Sequence, residues 1–398
     1  MLGLNLIPQP LFADGGSMIW SAQQYFRAYP GVQSFLCKFK EFDVDKDFTS
    51  AREFLSLHNL PLNTYNCYRG IVEKLLLWSW IHAKKPALQL TRQDIADFLA
   101  FYKNPPPDWI GNSPRTRFIN DNGDWDSNPD WRPMCIRQAS GETVDGNVQT
   151  ASYQPNQDTL RQLLSICNSF YKFLYIESMS DGNPVAAVRR QGRASHRVKP
   201  SRNIIRAQLL ELIMRRLERQ ALGSPDGERT LFIIAAALYL YLRISDLGYD
   251  YGHCPTMSSF IFDAGTWWFI HSDRNPPARS RVNAAFLQYL TRYRVSRGLS
   301  PLPESNEDEP LLETVHGRGG LGPRCIIKTV KSSLAEVHRS LLADGYDEAD
   351  LEVIKSLTLR WFRESGAKLD SVGLEPVELG KALGGVNPEY VYSRYYLE

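Results

Sequence analysis

A few side chains in this sequence are hard to explain by folding alone. Arg243 closes the apolar run Leu231–Leu242 within YLYLRISDL. A guanidinium there must be paired or face a ligand, because a charge held away from water without a partner is costly. Asp246 is the nearby pairing candidate. Arg360 and Arg363, in RWFRES, are three residues apart and so share one face of a helix, with Glu364 beside them as a possible surface partner. The last stretch, ALGGVNPEYVYSRYYLE, crowds Tyr390, Tyr392, Tyr395 and Tyr396 together, and the first two read as packing aromatics. Taken jointly, two well-separated arginines and a late tyrosine fit one chemistry. A phosphodiester gains negative charge in its transition state, and two guanidiniums can clamp its non-bridging oxygens bidentately. A tyrosyl oxygen can then attack in line and hold the phosphoryl group covalently, conserving the bond energy for rejoining.

The elements that must position these groups are mostly helical. The chain has 398 residues, which predicts two or three domains. Helical spacing is clear over residues 63–78, over TRQDIADFLAFY from a Thr91 cap, and over residues 159–175, which stop at Asp181-Gly182-Asn183-Pro184. Further helices are predicted at about 206–220, 229–242, 283–297, 323–343, 347–355 and 359–369. A hairpin is predicted where Phe260–Phe262 and Trp267–His271 flank Asp263-Ala264-Gly265. Between the helical parts, residues 104–157 hold seven prolines and the tryptophans 109, 125 and 131, and read as an insertion packing loosely on its host. Asp121, Asp124 and Asp126 lack the spacing of a calcium loop.

Composition excludes several classes. Lys+Arg exceeds Asp+Glu by only two (46 against 44), so no bulk polyanion-binding tail is present, although a local basic face is compatible. One such face is the run from Arg189 to Arg206, with seven Lys/Arg and no acid. It reads either as a solvated linker or as a strap tracking phosphates, the latter through Arg189, Arg190, Arg193, Arg197, Lys199 and Arg202. The twelve-residue apolar run is too short for a membrane span. Its six cysteines form no CxxC pair, which argues against a zinc cluster or disulfide framework and suits a reducing cytosol.

Over roughly residues 61–398 the sequence resembles the tyrosine recombinase (phage integrase) family. YLRISDL is similar to the family's first arginine box, RWFRESGA to its His-x-x-Arg box, and LGGVNPEYVYSRYY to the final Leu-Gly-His-and-nucleophile box. PLLETVHGRGGLGPRCIIKTVK is similar to the loop and helix before the second box. The resemblance implies Tyr395 as nucleophile, Arg243 and Arg363 as the catalytic arginines, and Asp246 as supporting acid. Arg360 stands where the family has the box histidine, and Gly385 stands where it has the histidine after Leu-Gly. No lysine occurs between Lys199 and Lys328, so Arg274 is the nearest basic substitute for the family's hairpin lysine, with Arg279 and Arg281 behind it. A guanidinium is a poor proton donor, which leaves the general acid unassigned.

The implied fold is mainly α with a small β-sheet (α+β). An all-α core DNA-binding domain (61–188, with the 104–157 insert), a basic interdomain linker (189–206) and a catalytic domain (207–398) would follow an N-terminal extension (1–60) that is a candidate protomer contact. The two domains would grip opposite faces of a duplex. Only three residues follow Tyr395, so the docking helix many relatives carry there is not expected. The implied partner is double-stranded DNA with specific recombination sites, bound by a self-associated tetramer. A partner recombinase or accessory protein is a further candidate. No metal, other cofactor or membrane is implied, and the expected location is the bacterial cytoplasm, on nucleoid-associated DNA. The rival class is a recombinase-fold DNA-binding protein that no longer cuts; a topoisomerase-like enzyme using the same tyrosine chemistry is a third.

Overall fold

A computed structural model describes residues 6–39, 41–57, 61–121, 124–136, 153–186, 188, 203–249, 254–271, 278–304, 306–314 and 320–397. The chain divides into two compact units, Met1–Lys199 and Pro200–Glu398. Among the described residues it is mainly helical with small sheets, the α+β class that the sequence predicts, although two of those sheets lie in the insert, where none was expected.

The first unit contains α1 (Ala22–Ala28), α2 (Pro30–Leu36), α3 (Val44–Ser56), α4 (Leu62–Trp78), α5 (Arg92–Lys103) and α6 (Gln157–Ile176). Caps set several of these ends. Thr91 and Asp94 form a reciprocal capping box at the start of α5, and the Asn156 side chain accepts from the Thr159 amide at the start of α6. Two short sheets lie within the Trp-rich insert. β1 (Ile110–Gly111) pairs in parallel with β4 (Met134–Cys135), and β2 (Phe118–Asp121) pairs antiparallel with β3 (Asp124–Ser127).

One expectation is corrected here. The described part of the insert does not pack loosely, since Trp109 and Trp131 are buried in the unit's hydrophobic core. Residues 1–60 share that core through Leu11, Phe12, Tyr25, Phe35, Phe48 and Phe54. Glu73 on α4 shows why both segments are held. Its buried carboxylate accepts from the Leu11 and Phe12 amides (2.8 and 3.3 Å) and also from Arg117 of the insert, whose guanidinium lies 5.2 Å from the Trp131 ring centroid. A buried carboxylate needs such donors, so one side chain draws three parts of the chain together.

The second unit contains α7 (Ala207–Ala221), α8 (Pro225–Tyr239), α9 (Ile244–Leu247), a three-stranded sheet, α10 (Ala284–Ser296), α11 (Pro323–Ala343), α12 (Glu348–Ser356), α13 (Leu359–Asp370), α14 (Pro376–Ala382) and α15 (Pro388–Val391). The sheet runs in the order β5 (Phe260–Asp263), β6 (Thr266–His271), β7 (Ala278–Arg281), antiparallel throughout, with Phe260 opposite Phe269 and Phe269 opposite Ser280. Helix α8 is the centre of the unit. Leu231 to Leu238 are all buried, and α7, α10, α11 and α13 pack around them. A helix apolar on every side is a core helix, and this one fills that role.

Candidate functional site

The apolar run does not carry its helix as far as Arg243. Helix α8 ends at Tyr239, and the Leu240 and Leu242 amides both donate to the Ala236 carbonyl. Tyr241 takes a left-handed conformation (φ 54°), which is strained for a bulky side chain. Two contacts from α13 hold it there: its hydroxyl donates to Asp370, and its carbonyl accepts from Arg363 Nε at 2.8 Å. The chain thereby turns and restarts as α9, with Arg243 at the N-cap. The Arg243 backbone amide donates to Asp246 Oδ2 at 2.7 Å, so Asp246 fixes the main chain of Arg243. The Arg243 side chain is exposed, while Asp246 is buried.

Asp246 is itself anchored to the sheet. His271 Nδ1 lies 3.4 Å from Asp246 Oδ1, near but not aligned as a hydrogen bond, and His271 Nε2 bonds with Ser280 Oγ at 2.9 Å. Ser280 Oγ reaches the Ala382 carbonyl (3.2 Å) at the end of α14. All three side chains are buried, so β6 and β7 serve as a backing for α9.

Helix α13 carries Arg360 and Arg363. Arg363 is half-buried, and besides its bond to Tyr241 it donates through an Nη to the Leu383 carbonyl at 3.1 Å. It therefore joins the α8–α9 turn to the Leu-Gly-Gly turn. Arg360 is exposed and donates from Nε to Glu364 Oε1 at 2.8 Å. The opposite oxygen of the buried Glu364 accepts from Arg394 Nε at 2.9 Å and again from an Arg394 Nη. One carboxylate thus links both ends of this region.

Gly385 supplies shape and no side chain. Gly384 and Gly385 have φ of 93° and 79°, and the Gly385 and Val386 amides both donate to the Gly380 carbonyl, which closes α14. The tail then runs through α15 into a π-helical turn, Tyr392–Tyr396. Tyr395 is 5% exposed and packs with Tyr241, Ala367, Leu379, Leu383 and Val391. Its carbonyl accepts from Lys368 Nζ at 2.6 Å. Burial raises the Tyr395 phenol above its ordinary range, and Glu364 adds to this, while Arg394 and Arg363 act against it.

Arg243, Arg360, Arg363 and Tyr395 line one cavity of about 820 Å³. These groups come from three separate places in the sequence, since Arg360 and Arg363 share α13. Arg279 and Arg281 lie elsewhere, exposed on β7, and Arg279 stacks over Trp268 (4.4 Å) with Asp263 3.6 Å away. Arg274 and the strap residues Arg189, Arg190, Arg193, Arg197, Lys199 and Arg202 lie outside the described residues. Sequence reasoning missed Glu364 as a bridge, Arg394 as its second partner, Tyr241 as the pinned turn, and Lys331, which also lines the cavity. The i,i+4 spacing of Arg360 and Glu364 was a visible signal; the others had none. Among the described residues no His/Cys/Asp/Glu group could hold a metal ion, and no helix is long and apolar enough to cross a membrane. The cavity presents three guanidiniums, an ammonium, two phenols and the Glu364 carboxylate that Arg360 and Arg394 already bind, a set suited to an oxyanion such as a phosphodiester.

No protein-family model matches the chain, and no curated protein sequence matches it. Among solved structures it is similar to the Tn1549 transposon integrase in complex with a circular intermediate DNA. The TM-score is 0.51 at 11% identity, covering 88% of this chain and 94% of that one. The XerH site-specific recombinase bound to its difH substrate gives 0.48 at 12% identity, covering 88% and 81%. The helical order, the hairpin behind α9 and the overlap with the transposon integrase agree: this chain has the fold of the tyrosine recombinases and integrases.

Proposed function

We propose that this chain is a tyrosine-type site-specific DNA recombinase. Tyr395 attacks a backbone phosphate, forming a 3′-phosphotyrosyl link and releasing a 5′ hydroxyl. Arg243 and Arg363 neutralise the growing charge on the non-bridging oxygens, and Arg360 assists from the rim. The covalent link conserves the energy needed for rejoining, so the strand is resealed by the reverse attack of a 5′ hydroxyl. The partner is duplex DNA bearing recombination sites, with self-association on that DNA. Much of the affinity comes from phosphate contacts and falls as salt rises. The single observation that carries this reading is that Arg243, Arg363 and Tyr395, far apart in sequence, line one cavity.

The test begins by selecting bound duplexes from a random pool. A selected duplex nicked near the cleavage site traps the covalent intermediate. The expected result is a protein–DNA adduct that disappears in Tyr395→Phe and falls by about 10²–10³-fold in Arg243→Ala and Arg363→Ala. The burial of Tyr395 favours a second reading, a recombinase-fold protein that binds DNA without cutting it. Sequence-specific binding with no adduct selects that reading.

A further inference from the structure

Strand cleavage by a phenol has two proton requirements. The nucleophile must lose one, and the departing 5′ oxygen must gain one, because an alkoxide is a poor leaving group. The three arginines of the cavity do not meet the second need, since a guanidinium holds its proton too tightly. Glu364 is buried between Arg360 and Arg394 and accepts from both, so each of its oxygens is already engaged as an acceptor. Among the described residues lining the cavity, the Ser245 and Thr358 hydroxyls hold their protons about as tightly as the 5′ hydroxyl itself, and two other side chains besides the nucleophile carry a more acidic proton: the Tyr390 phenol and the Lys331 ammonium.

Geometry separates them. In an in-line displacement the leaving oxygen departs on the side of the phosphorus opposite the attacking oxygen. Tyr390 lies on α15, which runs directly into the turn holding Tyr395, so it shares the nucleophile's element. Lys331 comes from α11, which packs against α8 and against α9, the helix that starts at Arg243. The tail packs instead on α13. Lys331 is exposed, next to the buried Val330, and lines the cavity together with Leu242, Arg243 and Ile244.

We propose that Lys331 is the general acid of strand cleavage; this rests on the recombinase reading above. As the Tyr395 oxygen forms its bond to phosphorus, the bond from phosphorus to the 5′ oxygen breaks and its electron pair leaves with that oxygen. Lys331 Nζ passes one proton to it, giving the 5′ hydroxyl and a neutral amine, while the phenolic proton goes to solvent. In rejoining, the amine takes the proton back from the attacking 5′ hydroxyl, and the phenolate recovers one from solvent. The fold thus supplies from α11 the proton donor that the hairpin region of the sequence lacks in the form of a lysine.

The test compares two versions of a duplex whose cleavage position has first been mapped with the wild-type protein. One has the normal 5′ oxygen at that phosphate, and the other has a bridging 5′ sulfur, whose thiolate leaves without being protonated. Lys331→Ala and Lys331→Arg should cleave the oxygen duplex at least about 100-fold more slowly than wild type. Both should cleave the sulfur duplex within a few fold of it. The arginine variant keeps the charge, so its failure on oxygen separates proton donation from phosphate binding. Wild-type-like cleavage of the oxygen duplex by Lys331→Ala overturns the proposal. Equal losses on both duplexes also overturn it and make Lys331 a binding residue. If the wild type forms no adduct on either duplex, the parent reading fails and this one with it; an adduct that needs Tyr395 but not Lys331 sinks only the present inference.

Discussion

Gly366 lies against Leu238 so closely that a Cβ at position 366 would stand 1.8 Å from the Leu238 carbonyl oxygen. This contact lets α13 lie directly on α8, and it fixes how far Arg363 stands from the turn that presents Arg243. The neighbour is backbone in the last turn of the buried helix α8, packed in the core, and has little room to retreat. Gly366→Ala should therefore destabilise the second unit by about 3 kcal/mol or more, an overpacking cost at the high end of the usual range. Thermal denaturation followed by circular dichroism should show a drop in Tm of roughly 6–12 °C. A variant as stable as wild type would mean that α13 and α8 are not in this contact.

Glu364 makes two ion pairs that should differ in strength. The Arg394 partner is almost wholly buried, with its side chain 8% exposed, whereas the Arg360 side chain is 65% exposed. Glu364→Gln leaves the Arg394 charge buried and unmatched and should cost about 3–5 kcal/mol. Arg360→Ala removes only a solvent-screened partner and should cost less than about 1 kcal/mol. Urea denaturation of the two variants measures the contrast, and equal costs would contradict it.

Glu73 offers a direct check that residues 11–13 and the insert belong to the first unit. Glu73→Ala leaves the Leu11 and Phe12 amides and the Arg117 guanidinium without their acceptor. The expected loss is about 3–5 kcal/mol, as for other broken buried charge networks. Hydrogen exchange should accelerate at Leu11 and Phe12 before it does along α6. Unchanged protection there would mean the N-terminal segment is held by packing alone.

Asp47 gives the first unit a pH dependence. Burial pushes its carboxyl up to about 6, against the opposing hydrogen bonds from Trp80 Nε1 and the Ala87 and Leu88 amides. The unfolded chain ionises near the ordinary value of 3.8, before the folded chain does. The folded state then binds the extra proton, so stability falls as pH rises from about 4 to about 6 and levels off above. At about 1.4 kcal/mol per pKa unit, the loss approaches 3 kcal/mol. The stability difference between wild type and Asp47→Asn, followed by urea denaturation from pH 4 to pH 7, should shrink by that amount. A difference that is flat across the window would show the carboxyl to titrate normally.

Local physics was legible in the sequence. The Thr91 cap, the hairpin at Asp263-Ala264-Gly265 and the helix bounds near 323–343 depend on neighbours a few residues apart, and the chain states these directly. The same holds for Arg360 and Arg363 sharing one helix. Where local pattern gave out, long-range partners decided. The apolar run to Leu242 reads as helix to its end, yet Tyr241 turns left-handed because Asp370 and Arg363, more than a hundred residues away, hold its two ends. Residues 1–60 and the Trp-rich insert read as additions because no local signal reports that Glu73 needs donors from both. The residue types of the candidate site were written in the sequence, since charge and nucleophilicity are properties of single side chains. Their convergence on one cavity, with Lys331 and Glu364 joining them, was decided only by folding, because burial and hydrogen-bond satisfaction depend on every segment at once.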